Sequence, residues 1–252
     1  MNETEWKAFL TEYSRELLAN EKVRKRLRPE VVESGWLGYT PASEEEIVAA
    51  ETRLGVRFPP SYRAFLRVTD GWRYMNSFVH RVWPTPGIAW FRQRNQEWID
   101  AYVEPAKGDP RLPDERYLVY GKDQDSSAFR PEYLQTALEI SDTGDEAILL
   151  LNPEIVTPEG EWEAWFFANW LPGAIRCRSF AELMQQERQD SLELQAGKKQ
   201  KAGALPRRAA PSGNPVRGNA PLPWWRAMAR SAARILVGVR RGTKSRKTVR
   251  SG

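Results

Sequence analysis

Pro41–Trp72, PASEEEIVAAETRLGVRFPPSYRAFLRVTDGW, specifies two helices and their connection through its residue types. Ser43 followed by Glu46 is a capping box: the hydroxyl accepts from the backbone of the third helical residue, and the carboxylate reaches back to the cap. Ile47, Ala50 and Leu54 then form one apolar stripe, and Gly55 is the residue type that tolerates a left-handed C-cap. Phe58-Pro59-Pro60-Ser61-Tyr62 restarts a helix, because the fixed φ and missing N–H of proline suit a first turn. Tyr62, Phe65 and Leu66 face inward, and Asp70-Gly71 ends the element. The pattern predicts helices over 44–54 and 60–68.

Toward the N-terminus, Trp6, Phe9, Leu10, Tyr13 and Leu17 recur at helical spacing between charges, so an amphipathic helix is expected over about Glu3 to Ala19. A basic polar stretch, Glu21 to Arg28, precedes a loop, Trp36 to Pro41, that inserts aromatics. Toward the C-terminus strand signals dominate, after a helical interruption from Ile88 to Tyr102. Tyr117 to Tyr120 reads as a short strand. Residues 134–140 alternate with period two, as a strand with one buried face does. Asp142 to Asp145 makes a turn. Ala147 to Leu151 is apolar throughout, as a strand covered on both faces is, and Glu161 to Ala168 is an aromatic strand. Ser179 with Glu182 opens a closing helix, and the body ends near Gln195. The fold class is α+β, with a central mixed or antiparallel sheet packed by helices.

Charge divides the 252 residues in two. The first 190 carry 23 Lys and Arg against 32 Asp and Glu, a net −9, whereas residues 191–252 carry 15 Lys and Arg against Glu193 alone, a net +14. Two parts of opposite sign prefer different partners. Residues 1–190 are expected to be the folded body and 191–252 a basic tail. Within the tail, Ala196 to Pro223 is poor in large apolar residues and reads as a disordered linker. Residues 224–241 place Trp225, Met228, Ala232, Ile235 and Leu236 opposite Arg226, Arg230, Arg234 and Arg241, a basic amphipathic pattern. Trp224, Trp225, Arg226, Arg230 and Arg234 suit an anionic membrane surface or nucleic-acid phosphates; a solvated extension, or one docked on its own acidic body, is the third reading.

Residue counts limit the chemistry. Cys177 is the single Cys and His80 the single His, which leaves no disulfide, Cys-based zinc site or two-His metal cluster. No Walker loop, dinucleotide fingerprint or Gly-x-Ser-x-Gly elbow is present, so no cofactor, metal or small-molecule substrate is expected. His80 reads as a strand histidine. Cys177 lies between Arg176 and Arg178, which would lower its pKa, but without a resolving thiol it reads as an ordinary half-buried Cys. Charged residues near the start interrupt any leader-like apolar run, and no membrane-length apolar stretch occurs, so a cytoplasmic, soluble protein is expected. Asp123, Asp125, Asp142, Asp145 and Glu146 cluster in turns without the spacing of a calcium loop. They form an acidic rim suited to a cationic protein partner.

The residues of the opening stretch resemble the signature of the SUKH superfamily, shared by a fungal cell-wall-assembly regulator and many bacterial immunity proteins of polymorphic toxin systems. The acidic cap, Ile47, Glu51 before Leu54-Gly55, Pro59-Pro60 before Tyr62, Phe65-Leu66 and Gly71 carry the likeness. Ile140, Gly144-Asp145 and Ser179-Phe180 extend it, over roughly residues 30–187, and Trp72 departs from it where a second Gly is common. The resemblance implies a single non-enzymatic domain that binds and neutralises a cognate toxin, with a cationic nuclease as one partner class. A regulatory interaction scaffold, held at a membrane by the basic tail, is the alternative.

Overall fold

The computed structural model describes residues 1–144 and 146–203. Helix α1 (Glu3–Leu18) begins at a capping box that uses Asn2 and Glu5, and it buries Trp6, Leu10, Tyr13 and Leu17 along one stripe. The basic stretch after it folds into two short helices, α2 (Glu21–Arg24) and α3 (Pro29–Ser34). Next come α4 (Glu44–Leu54) and α5 (Pro60–Val68), with the expected bounds, the Ser43–Glu46 box formed and Gly55 left-handed at φ 71°.

Glu51 joins these two helices. Its carboxylate accepts the Phe58 N–H (2.8 Å) and pairs with Arg63 Nε (2.8 Å), so one side chain satisfies both the connection and the first turn of α5. Gly71 holds φ 95° where the chain turns back, and a Cβ there would lie 2.7 Å from the Val82 carbonyl oxygen.

Five strands follow: β1 (Ala89–Trp90), β2 (Leu138–Glu139), β3 (Ala147–Val156), β4 (Trp162–Ala168) and β5 (Ala174–Cys177). They form one antiparallel sheet in chain order. Residues 147–152 of β3 and all of β4 are buried, as strands covered on both faces must be. The β3–β4 register shifts between Asn152 and Val156, around Pro153, which has no N–H for the ladder.

Several expectations are corrected. Helix occupies only Gln96–Val103 (α6) of the 88–102 region, because Ala89 and Trp90 pair with β2. Tyr117 ends helix α7 (Asp114–Tyr117) instead of starting a strand, since Pro113 sets a helix start and the Tyr117 side chain is drawn into the core. Of 134–140 only Leu138–Glu139 is strand; Pro131 begins a 3-10 turn that reaches Gln135. The last helix, α8 (Phe180–Gly203), runs past Gln195 through Ala196–Gly203, where a linker was expected. Ala, Lys and Gln are good helix formers, and extending an existing helix needs no new nucleus. The remaining linker, 204–223, and the stretch 224–241 lie outside the described residues.

The two faces of the sheet are covered differently. On one, Phe180 of α8 meets Trp6, Tyr62 and Phe65 at ring separations of 5.6, 4.8 and 5.0 Å. On the other, Ile148, Leu150, Trp165 and Phe167 pack against Phe91, Ile99, Tyr117, Tyr133 and Leu134. Among the described residues no helix is long and apolar enough to cross a membrane.

Candidate interaction surface

The second face has a polar centre. Glu163 is fully buried on β4, and its carboxylate accepts hydrogen bonds from Tyr117 Oη (2.7 Å), Tyr120 Oη (2.9 Å), Asn152 Nδ2 (2.9 Å) and Trp165 Nε1 (2.7 Å). Arg176, buried on β5, supplies the counter-charge at 3.5 Å, donates to the Tyr117 carbonyl and lies over the Tyr117 ring, 4.1 Å from its centroid. Burial and the adjoining carboxylate push both phenols above their ordinary range, so both remain donors.

This centre fixes the loop that carries two of the predicted acids. Tyr120 is tied to Glu163, and the Gln124 amide bonds twice to the Arg176 backbone, donating to its carbonyl (2.7 Å) and accepting its N–H (2.8 Å). Ala174 N–H donates to Ser126 O at 3.2 Å. The loop between α7 and the 3-10 turn at Pro131 is thereby laid along β5. Asp123 and Asp125 stay exposed on it. Ser127 donates its N–H (2.9 Å) and hydroxyl (2.7 Å) to Asp125 Oδ1, which holds that carboxyl below the usual carboxylate range.

The other acids stand at the β2–β3 turn. Asp142 Oδ1 accepts the N–H groups of His80 (3.0 Å) and Arg81 (2.8 Å), and its second oxygen lies 3.6 Å from Arg81 Nε. Asp142 therefore helps to fold the turn as well as charging it. Gly144 packs where a Cβ would fall 2.1 Å from the Phe78 carbonyl oxygen, so no larger residue fits. Glu146 is exposed, has φ 54° and accepts from Asn169 Nδ2. Asp145, like Trp224, Trp225, Arg226, Arg230 and Arg234, lies outside the described residues.

Glu146 touches the start of the β4–β5 turn through Asn169, and the Asp125 loop touches its end through Gly173 and Ala174. The fold thus brings two of the predicted acids to the two sides of one turn. Trp170 lies in that turn, half-buried against Phe78 (5.5 Å) and Phe166 (6.0 Å). Tyr102 Oη steadies the turn by donating to Leu171 O at 2.9 Å. Sequence reasoning missed Trp170 because it follows the aromatic run of β4 and reads as more of the same strand.

The two reactive side chains differ in exposure. His80 is exposed, its ring stacked 6.5 Å from that of Tyr74, so it is a loop residue and not a strand histidine. Cys177 is buried, and burial, with nearby carboxylates, pushes its thiol well above the ordinary range, overriding the flanking arginines. Among the described residues no group of three or more His, Cys, Asp or Glu could hold a metal ion.

A family model described as SMI1 / KNR4 family (SUKH-1) matches residues 41–186, more than half of the chain. No curated protein matches it.

Proposed function

Since the chain belongs to the SMI1 / KNR4 family (SUKH-1), we propose that it is a non-enzymatic immunity protein that binds a cognate toxin and blocks it. The observation that carries this reading is the turn between β4 and β5, which holds the half-buried Trp170 and is touched by Glu146 and by the Asp125 loop, on a body of net charge −9. In this reading the acids Asp123, Asp125, Asp142, Asp145 and Glu146 steer a cationic toxin, a nuclease being one such class, and Trp170 supplies the desolvated anchor. Binding alone neutralises the toxin by covering the cationic surface it needs for its own polyanionic substrate. The site of action is the cytoplasm.

The test is co-expression with candidate toxins, encoded by neighbouring genes, together with binding kinetics on a purified pair. Neutralising the five acids to Asn or Gln is expected to slow association about tenfold at low salt, with little change in dissociation. Asp142→Asn keeps an oxygen for the His80 and Arg81 amides, so the turn stays folded. Trp170→Ala is expected to speed dissociation at least about tenfold. If both variants protect cells as the parent does, this surface is not the interface. A second reading, a regulatory scaffold held at a membrane through Trp224, Trp225, Arg226, Arg230 and Arg234, is favoured by the basic amphipathic spacing of 224–241. Sedimentation of the full chain with anionic vesicles, while toxin binding is absent, would select it.

A further inference from the structure

A cleft of about 420 Å³ lies between α3, the loop to Pro41 and Arg73, and its chemistry is opposite to that of the acidic body. Its walls are aromatic and held in place. Trp36 folds back over Gly38, where a Cβ would lie 2.6 Å from the indole, and its ring meets the buried Trp72 edge-on at 5.5 Å. Lys7 Nζ stands 3.9 Å from the centroid of Trp36. Tyr39 is pinned by its N–H to Thr69 Oγ1 (2.7 Å), and the Arg73 guanidinium sits 3.9 Å from the Tyr39 ring centroid.

The cationic side of the cleft lacks a counter-charge. Arg28 and Arg73 both line it; among the described residues neither forms an ion pair, although Glu30 lies on the same rim. Arg73 is anchored by its backbone N–H to Leu37 O (3.1 Å) and by a longer contact from Nη1 to the same oxygen (3.4 Å). Partial burial, and then the neighbouring Arg28 charge, weaken its hold on its proton. Two like charges lining one cleft, Arg73 over the Tyr39 ring, are stabilised when an anion enters.

We propose that this cleft binds a short acidic segment of a protein partner, its carboxylates on Arg28 and Arg73 and an apolar side chain on Trp36 and Tyr39. A long nucleic acid has the right sign of charge but is disfavoured, because its many phosphates would extend over a body of net −9. A short peptide presents only the few charges the cleft can meet. The site shares no residue with the surface around Trp170, so this inference goes beyond the toxin reading.

The experiment follows the indole N–H signals of the full chain by NMR, with Trp36 assigned through Trp36→Phe. A decapeptide of alternating Glu and Leu is the probe, and oligothymidylate of equal charge is the control. The Trp36 signal is expected to move on peptide addition, and Arg28→Gln and Arg73→Gln each to weaken the effect about tenfold. Arg28 is exposed, so its variant stays folded even if the Arg73 variant does not. Movement of the Trp224 and Trp225 signals alone would mean that the basic tail takes the peptide, and it would overturn the proposal. So would an equal response of Trp36 to oligothymidylate, which would make the cleft a nucleic-acid site.

Discussion

The two faces of the sheet reach the same degree of burial by different means. The face under α1, α5 and α8 is closed by rings, with Trp6, Tyr62, Phe65 and Phe180 in mutual contact. The opposite face also has an apolar cluster, but its covering loop is registered by the Glu163 carboxylate and four neutral donors. Ring packing tolerates small shifts and is set by volume, whereas a buried carboxylate has one satisfactory arrangement of donors. The first face is therefore a general hydrophobic solution and the second a specific one, and the specific one positions the loop of Asp123 and Asp125.

The sharpest way to break this contrast is to remove the carboxylate. Glu163→Ala strands Arg176 and four donors in the core and is expected to cost about 3–5 kcal/mol in urea unfolding. The double change Glu163→Leu with Arg176→Met should recover only the part of that loss due to the stranded charge, because the four donors still lack an acceptor. A double variant no better than the single one would show that the centre is not the organiser argued here. Phe180→Ala on the ring-packed face is expected to cost about 3–4 kcal/mol, and the larger part should return with Phe180→Leu, since volume and not geometry is at stake.

The ring-packed face also holds a buried carboxylate, which makes it sensitive to pH. Glu187 of α8 is buried, accepts from Asn76 Nδ2 at 2.5 Å and stands near Asp190. Burial first, and the neighbouring carboxylate second, push its pKa up to about 8. An acid that binds its proton more tightly in the folded state contributes stability that is complete below its unfolded value near 4.5. That contribution fades as pH rises and is gone above about 8. Thermal melts should therefore fall from pH 5 to pH 8. Glu187→Gln, which keeps an acceptor for Asn76 and has no charge to bury, should flatten the trend and stabilise the protein at pH 8 by on the order of 2 kcal/mol. A parallel pH profile in the variant would locate the sensitivity elsewhere. The smallest effect is expected outside both faces: Ser43→Ala, which removes an exposed helix cap, should cost about 1 kcal/mol.

Legibility in the sequence follows the same division. Local signals sufficed where local physics decides: the caps at Ser43 and Gly55, the prolines at 59 and 60, and the apolar runs of β3 and β4 all appear as read. They failed where a distant residue decides. Tyr117 to Tyr120 has strand-forming side chains, but two of its hydroxyls are claimed by Glu163, more than forty positions away. β5 escaped notice because Arg176 interrupts its apolar pattern, and that interruption makes sense only beside Glu163. Of the acidic rim, the charge was legible and the sharing of one turn by Glu146 and the Asp125 loop was not, since neighbours across a sheet leave no trace in spacing. Trp170 needed the structure to separate a half-buried ring past the strand end from the core rings before it.

The Gln124 side chain has a consequence for how partners can approach. A sheet edge ordinarily offers its outward N–H and C=O groups to any extended segment, and many recognition domains and aggregates exploit that offer. Here the outward groups of Arg176 are already taken by one amide side chain, and that of Ala174 by the Ser126 carbonyl. The chain mimics the strand that a stranger would add, so the β5 border is shut to β-augmentation and to self-templated growth. An extended segment that approaches this border meets side chains instead of free backbone groups.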